Sequence, residues 1–221
     1  MPLAGTRFTH FLLSKYLALL IALLTLLLSF PLMNDQSFGK VIFAFFFFFI
    51  LLGMFYGLKG NHRIVLFMLI GTIVLCMSIA EIRYHQIYVW NKILSILFNV
   101  YAITLFCKDI YTRKQITSDI LIGSLCVYLL IGICFAQLYM VIQAFSSHAL
   151  IHTINTLPIY NQEDFYYFSF ITLATVGFGD ILAHTPFSKS VVMIEGQVGI
   201  FYIAIMVARL VSAFNTKKTI S

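Results

Sequence analysis

Four stretches of this chain run for 17 residues or more without one Asp, Glu, Lys or Arg: residues 16–34, 41–58, 64–80 and 120–147. Two more are nearly as clean: residues 87–107 carry only Lys92, and residues 190–214 carry only Glu195 and Arg209. A helix needs about 17–25 residues to cross the hydrocarbon of a bilayer, and each stretch meets that length. The expectation is an all-α integral membrane protein with six transmembrane helices. Composition agrees, since 61% of residues are hydrophobic and 10% charged, whereas an ordinary soluble domain is roughly 25% charged.

The net charge of +6 would suit a nucleic-acid partner, but its placement does not. With six spans threaded in turn, Arg7, Lys15, Lys59, Arg63, Lys108, Arg113, Lys114, Arg209, Lys217 and Lys218 fall on one side. Lys40, Arg83, Lys92 and Lys189 fall toward the other. This positive-inside bias predicts a multi-pass protein of the cell membrane with both termini cytoplasmic. No basic patch is interleaved with aromatics that could stack on bases, so no nucleic-acid partner is expected. Cys76, Cys107, Cys126 and Cys134 show no CxxC spacing and read as small buried apolar residues. Arg7 and Lys15 precede the first apolar run as in a signal peptide. That run exceeds the usual length of about 7–15 residues and lacks a small-x-small cleavage site, so it reads as a retained helix.

Two parts follow from the spacing. Residues 1–116 hold four spans joined by very short loops, around 59–63 and, on the outer side, 81–86. The five phenylalanines at 45–49 read as lipid-facing or packing bulk, and no internal repeat is visible. Residues 117–221 begin after a polar linker, 108–119, in which Thr117 or Ser118 can cap the next helix and Asp119 favours its positive end. A span at 120–144, an outer stretch at 145–162, a short loop region and a last span at 186–214 complete the chain, with no regulatory domain expected after Phe214.

Residues 163–174 are too few to cross a bilayer, and Glu163 and Asp164 suit a helix N-terminus. The carbonyls expected to be unpaired at the far end of that helix carry partial negative charge, favourable to a cation. Next comes Thr175-Val176-Gly177-Phe178-Gly179-Asp180. Non-helical backbone at membrane depth is tolerated only where protein buries it or where it lines a water-filled path. Gly177 and Gly179 can take positive φ cheaply, which lets successive carbonyls point to one side instead of alternating. The expected element is a re-entrant loop, down as a helix and back as extended backbone.

This run matches the TVGYG-type ion filter followed by Asp at five of six positions, with Phe178 for Tyr. Residues 168–174 before it, Ile181 after it, and Ile194-Glu195-Gly196, Gly199 and Ala208-Arg209-Leu210-Val211 downstream extend the likeness. Over about 95 residues the chain resembles the potassium channel family. The resemblance implies a selectivity filter at Thr175, Val176, Gly177, Phe178, Gly179 and Asp180. K+, as permeant ion with no other cofactor, would be held by the backbone carbonyls of Thr175–Phe178. One chain supplies one filter strand, so three further copies are implied, in a homotetramer surrounded by membrane lipid. Tyr167, Phe168 and Thr172 fall where the family supports its filter, with the Tyr167 hydroxyl in reach of Asp180. Gly199, or Gly196, falls at the bend of the inner helix, and helical spacing adds Ile203 and Val207 as lining or as core.

Two departures stand out: Ile171, where some relatives have a glutamate paired with the outer aspartate, and Ala174, where threonine is commoner. The fourth span is another. Stepping by three from Lys92 gives Ser95, Phe98, Tyr101 and Thr104, so little or no voltage dependence is expected when one charge is worth about 2.3 kcal/mol per 100 mV. Gating by lipid, tension, pH or a regulatory partner stays open. His148 and His152 could share a helix face but lack an intervening catalytic glutamate, and His184 could confer pH sensitivity near the outer mouth. Glu195, ionisable within a span, is a functional candidate, or it bonds the short helix or the backbone of the run after it. No enzyme chemistry is indicated. The competing readings are a less selective cation channel of the same architecture, and a secondary transporter or membrane enzyme with a chance motif.

Overall fold

The computed structural model describes residues 15–28, 71–74, 76–78, 87–112 and 118–218. The expected second span, the phenylalanine run and the short loops at 59–63 and 81–86 lie outside the described residues, as does Thr117. In chain order the elements are α1 (Lys15–Leu28), α2 (Tyr88–Thr112), α3 (Ser118–Phe145), β1 (Leu150–His152), α4 (Gln162–Leu173), β2 (Ile181–Ala183) and α5 (Pro186–Lys218). Residues 71–74 and 76–78 are also helical. Tyr88–Thr112, Asp119–Phe145 and Pro186–Arg209 are long and apolar enough to cross a membrane.

Several boundaries differ from expectation. α2 continues past residue 107 to Thr112 because Ile110 is buried and the Thr112 hydroxyl bonds back to the Lys108 carbonyl. Ser118 is the first residue of α3, not its cap. α5 starts where expected: the Thr185 hydroxyl accepts from the Ser188 N–H at 3.3 Å, and Pro186 occupies the first helical position, where its missing donor is harmless. The all-α expectation needs one correction. β1 and β2 form an antiparallel pair in the register Leu150↔Ala183, Ile151↔Leu182 and His152↔Ile181. Their backbone groups lie beyond the helix ends and have no helical partners, so they satisfy one another.

The described chain divides into two compact units, residues 1–85 with 104–127 and residues 86–103 with 128–221. Tyr16 organises the first. Its hydroxyl donates to Asp109 at 2.5 Å and its ring meets Phe106 edge-on at 5.7 Å. Gly123 leaves room for that ring, since a Cβ there would stand 3.2 Å from it. In the second unit, Asn99 donates to Gln137 at 2.9 Å in a buried pair. Lys92 is buried with its ammonium 5.2 Å from the Tyr88 ring centroid. Cys126 is the buried cysteine; Cys107 and Cys134 are half-buried and Cys76 is exposed, which corrects the expectation that all four are interior.

Candidate functional site

α4 ends in a particular way. The Thr175 N–H donates to the Thr172 carbonyl at 2.9 Å and the Val176 N–H to the Ile171 carbonyl at 2.8 Å. Those two bonds are the Schellman pattern, which reverses the chain through a left-handed residue just past the helix. Glycine usually fills that place; here Thr175 does, at φ 57°. For a β-branched residue this conformation is an outlier, costing on the order of 1–3 kcal/mol unless its surroundings enforce it. The Gly177 N–H also donates to Ile171, at 3.3 Å, and Ala174 N–H donates to Phe170. The carbonyls of residues 170–172 are therefore occupied, a correction to the expectation of unpaired carbonyls there. The end of the dipole persists, but its oxygens are mostly capped by the chain's own reversal.

Beyond Thr175 the positive φ values recur at Gly177 (55°) and Gly179 (80°), every second residue. Val176 and Phe178 are 53% and 70% exposed, and a Cβ on either glycine would meet nothing within 4 Å. The run thus stands open on the surface of the single chain. That is an unusual place for strained, apolar backbone in a folded unit.

Its C-terminal end is fastened. Thr153 donates its N–H to the Asp180 carbonyl at 2.9 Å and its hydroxyl to the Gly179 carbonyl at 2.5 Å. The β1–β2 pair continues the fastening. Gln143, buried on α3, holds the loop from below: its amide donates to the carbonyls of Ser147 (2.7 Å) and Ile159 (3.1 Å) and its oxygen accepts the Leu150 N–H (2.9 Å). His152 Nε2 lies 3.7 Å from Asp164. Burial holds the Asp164 carboxyl above the usual range, His152 lowers it, and Asp180 raises it again. Glu163 is raised by burial and then by Asp164. His148 and His152 lie in a turn and a strand, so they share no helix face. His184 is exposed after β2, and among the described histidines His152 is the one paired with an acid.

The remaining sequence candidates divide by side. Tyr167 is 37% exposed, and its hydroxyl and the Asp180 carboxylate lie near enough to act on each other electrostatically. Phe168 is buried and turns toward α3, meeting the Tyr139 ring edge-on at 5.2 Å. Thr172 contributes its carbonyl to the Thr175 N–H. Gly199 on α5 faces the end of α4: a Cβ there would stand 2.1 Å from the Leu173 carbonyl oxygen, so the close approach requires glycine. Gly196 faces open space. Ile203 and Val207 are 49% and 54% exposed in the single chain. Glu195 is fully buried; it accepts from Tyr139 at 2.6 Å and lies 2.5 Å from the Ser169 hydroxyl.

Thr153, Gln143 and Ser169 were not among the sequence candidates, and His152 was named there without its partner Asp164. Gln143, Thr153 and Ser169 act on residues more than fifteen positions away; for Gln143 and Ser169 an isolated polar residue in an apolar run was the only signal. No group of three or more His, Cys, Asp or Glu suited to a metal occurs among the described residues. Residues 125–216 match a family model described as an ion channel. The match takes in most of α3, all of the α4 loop and nearly all of α5. No curated protein and no solved structure matches the chain. An ion channel domain with membrane-capable helices points to passive ion conduction through a membrane.

Proposed function

We propose that this chain is one subunit of a potassium-selective channel and that Thr175–Asp180 is its filter strand. The observation that carries the reading is the alternation of positive φ at Thr175, Gly177 and Gly179 in a run left exposed by its own chain. Alternation of this kind turns successive carbonyls to a common side, where a ring of such strands replaces the water around an ion. Four copies close the ring, so the subunit works as a homotetramer in lipid, with K+ as its substrate. Six spans, a four-helix domain at 1–116 and a pore domain at 117–221 complete the architecture. The positive-inside bias puts both termini in the cytoplasm and Asp180 at the external mouth of a cell-membrane protein.

Within this reading Tyr167 and Asp180 brace the strand from its side, and the Thr153 bonds keep the Gly179 carbonyl turned away from the ion path. Ile203 and Val207 line the inner path. Of the two glycines on α5, Gly196 has space for a bend, while Gly199 seats α4. Lys92 alone makes a poor voltage sensor, so gating comes from lipid, tension, pH or a regulatory partner. The test is purified protein in liposomes under opposed K+ and Na+ gradients. A reversal potential near the K+ equilibrium value is expected, and its loss in Gly177→Ala. A reversal potential near zero favours the less selective cation channel, and no ionic current at all favours a transporter.

A further inference from the structure

Glu195 stands at the meeting of three helices. Its side chain has no solvent exposure even in the single chain, so further subunits can only bury it more. Tyr139 of α3 donates to one carboxyl oxygen at 2.6 Å. Ser169 of α4 lies 2.5 Å from the other, and the same Ser169 hydroxyl lies 2.8 Å from the Gly132 carbonyl of α3. Ser169 has one proton and two acceptor lone pairs. If Glu195 were ionised, both neighbours of Ser169 would be acceptors competing for that single proton. If Glu195 carries a proton, it donates to Ser169, Ser169 donates to Gly132, Tyr139 donates to the second oxygen, and each proton is used once.

Charge points the same way. An ion buried without a partner is strongly disfavoured, and the group neutralises instead. The titratable groups of α3 that act on Glu195 are Tyr139, Cys134 and Tyr128, all neutral when protonated. From α4 the Ser169 hydroxyl bonds it, and among the described residues the groups that act on it most are Ser169 and Tyr139, neither a cation. On α5 itself the basic residues nearest in sequence are Lys189 and Arg209, more than one helical turn away in each direction.

We propose that Glu195 is held as a neutral carboxylic acid at neutral pH, and that as a hydrogen-bond donor it is the positioning residue that fixes α4 between α3 and α5. The consequence for conduction rests on the channel reading above; the proton assignment does not. The device also explains why α5 carries a polar residue here at all. Gly199, one turn on, brings the end of α4 into backbone contact, and the acid at 195 sets its rotation through Ser169.

The experiment is infrared difference spectroscopy of the full-length protein in lipid at neutral pH, with Glu195→Gln and Ser169→Ala, alongside K+ flux. A protonated-carboxyl C=O band is expected in the native protein, absent in Glu195→Gln and shifted in Ser169→Ala. Glu195→Gln, whose amide can donate to Ser169 and accept from Tyr139, should keep flux within about twofold of native, and Glu195→Ala should lose at least about tenfold, as expected when buried donors lose their acceptor. An ionised-carboxylate band lost in Glu195→Gln overturns the proposal. So does a carboxyl band unmoved in Ser169→Ala, the decisive comparison should Glu195→Gln fail to fold. A protonated band with flux equally lost in Gln and Ala variants overturns the positioning role. If the native protein passes no ions, the channel reading fails while the spectra still decide the proton.

Discussion

α3 and α5 are both apolar enough to cross a membrane, yet 67% of the apolar stretch of α3 is buried within the chain and only 17% of that of α5. What α5 does bury is specific: Ser188, Val191 and Glu195 are covered, and Gly199 meets Leu173, all on the side that receives α4 or the loop before it. Met193, Ile194, Phe201, Ile203, Ile205 and Val207 remain exposed. One helix is therefore mostly covered by its own chain. The other leaves an apolar face uncovered, which in the proposed channel is finished by lipid or by other copies.

The sharpest test sets one residue from each helix side by side. Leu130→Ala on α3, where Leu130 is 3% exposed, should cost about 2–5 kcal/mol, read as a lowered unfolding midpoint in detergent. Ile203→Ala on α5 should move the midpoint of the separated subunit by less than about 0.5 kcal/mol, while weakening assembly or flux. Equal effects at both sites would break the comparison. Next is Gly199→Ala, which forces a Cβ against the Leu173 carbonyl; overpacking of this kind costs about 1–3 kcal/mol and should lower both the midpoint and K+ flux. Gly196→Ala, in open space, should leave the midpoint within about 0.5 kcal/mol of native.

Smaller effects come from the loop that joins the two helices. Thr175→Gly relieves the left-handed strain and should raise the midpoint by the equivalent of about 1 kcal/mol, at the expense of K+ over Na+ discrimination. A lowered midpoint would show that the threonine is held by neighbours, not tolerated. Last is pH. Glu163 and Asp164 are raised from ordinary values of 4.5 and 3.8, so the folded loop binds their protons more tightly than the unfolded chain does. Their contribution is complete below those ordinary values and is lost as pH climbs through the raised ones. The midpoint should fall slightly over that window, and the slope should flatten in the Glu163→Gln, Asp164→Asn double variant.

What the residues disclosed in advance follows the range of the forces involved. Helix α4, the start of α5 at Pro186 and the positive φ of Gly177 and Gly179 depend on neighbours in sequence, and they were legible. The left-handed Thr175 was not, because nothing in threonine's own preferences favours it; the reversal of the chain imposes it. The resemblance put the inner-helix bend at Gly199 or Gly196; the close approach of Gly199 to the Leu173 carbonyl was not legible, because it is set by the backbone of a segment more than twenty residues earlier. Gln143, Thr153 and His152 act through bonds to distant backbone or to α4, and no local pattern announces such partners. Residue type carried the helix preferences and the glycine freedom; topology supplied the rest.

The two ends of the Thr175–Asp180 run are built on different clocks. Its start is closed by bonds that reach back only a few residues, from Thr175 to Thr172 and from Val176 to Ile171. Its finish is closed by Thr153 and by the β1–β2 register, which must bring together strands separated by the whole of α4. Short-range contacts close quickly and long-range pairings wait on the chain between them. The reversal after α4 needs only its own residues, whereas the β2 fastening needs two strands held together across the whole of α4, so the Gly179 end is expected to close after the Thr175 end.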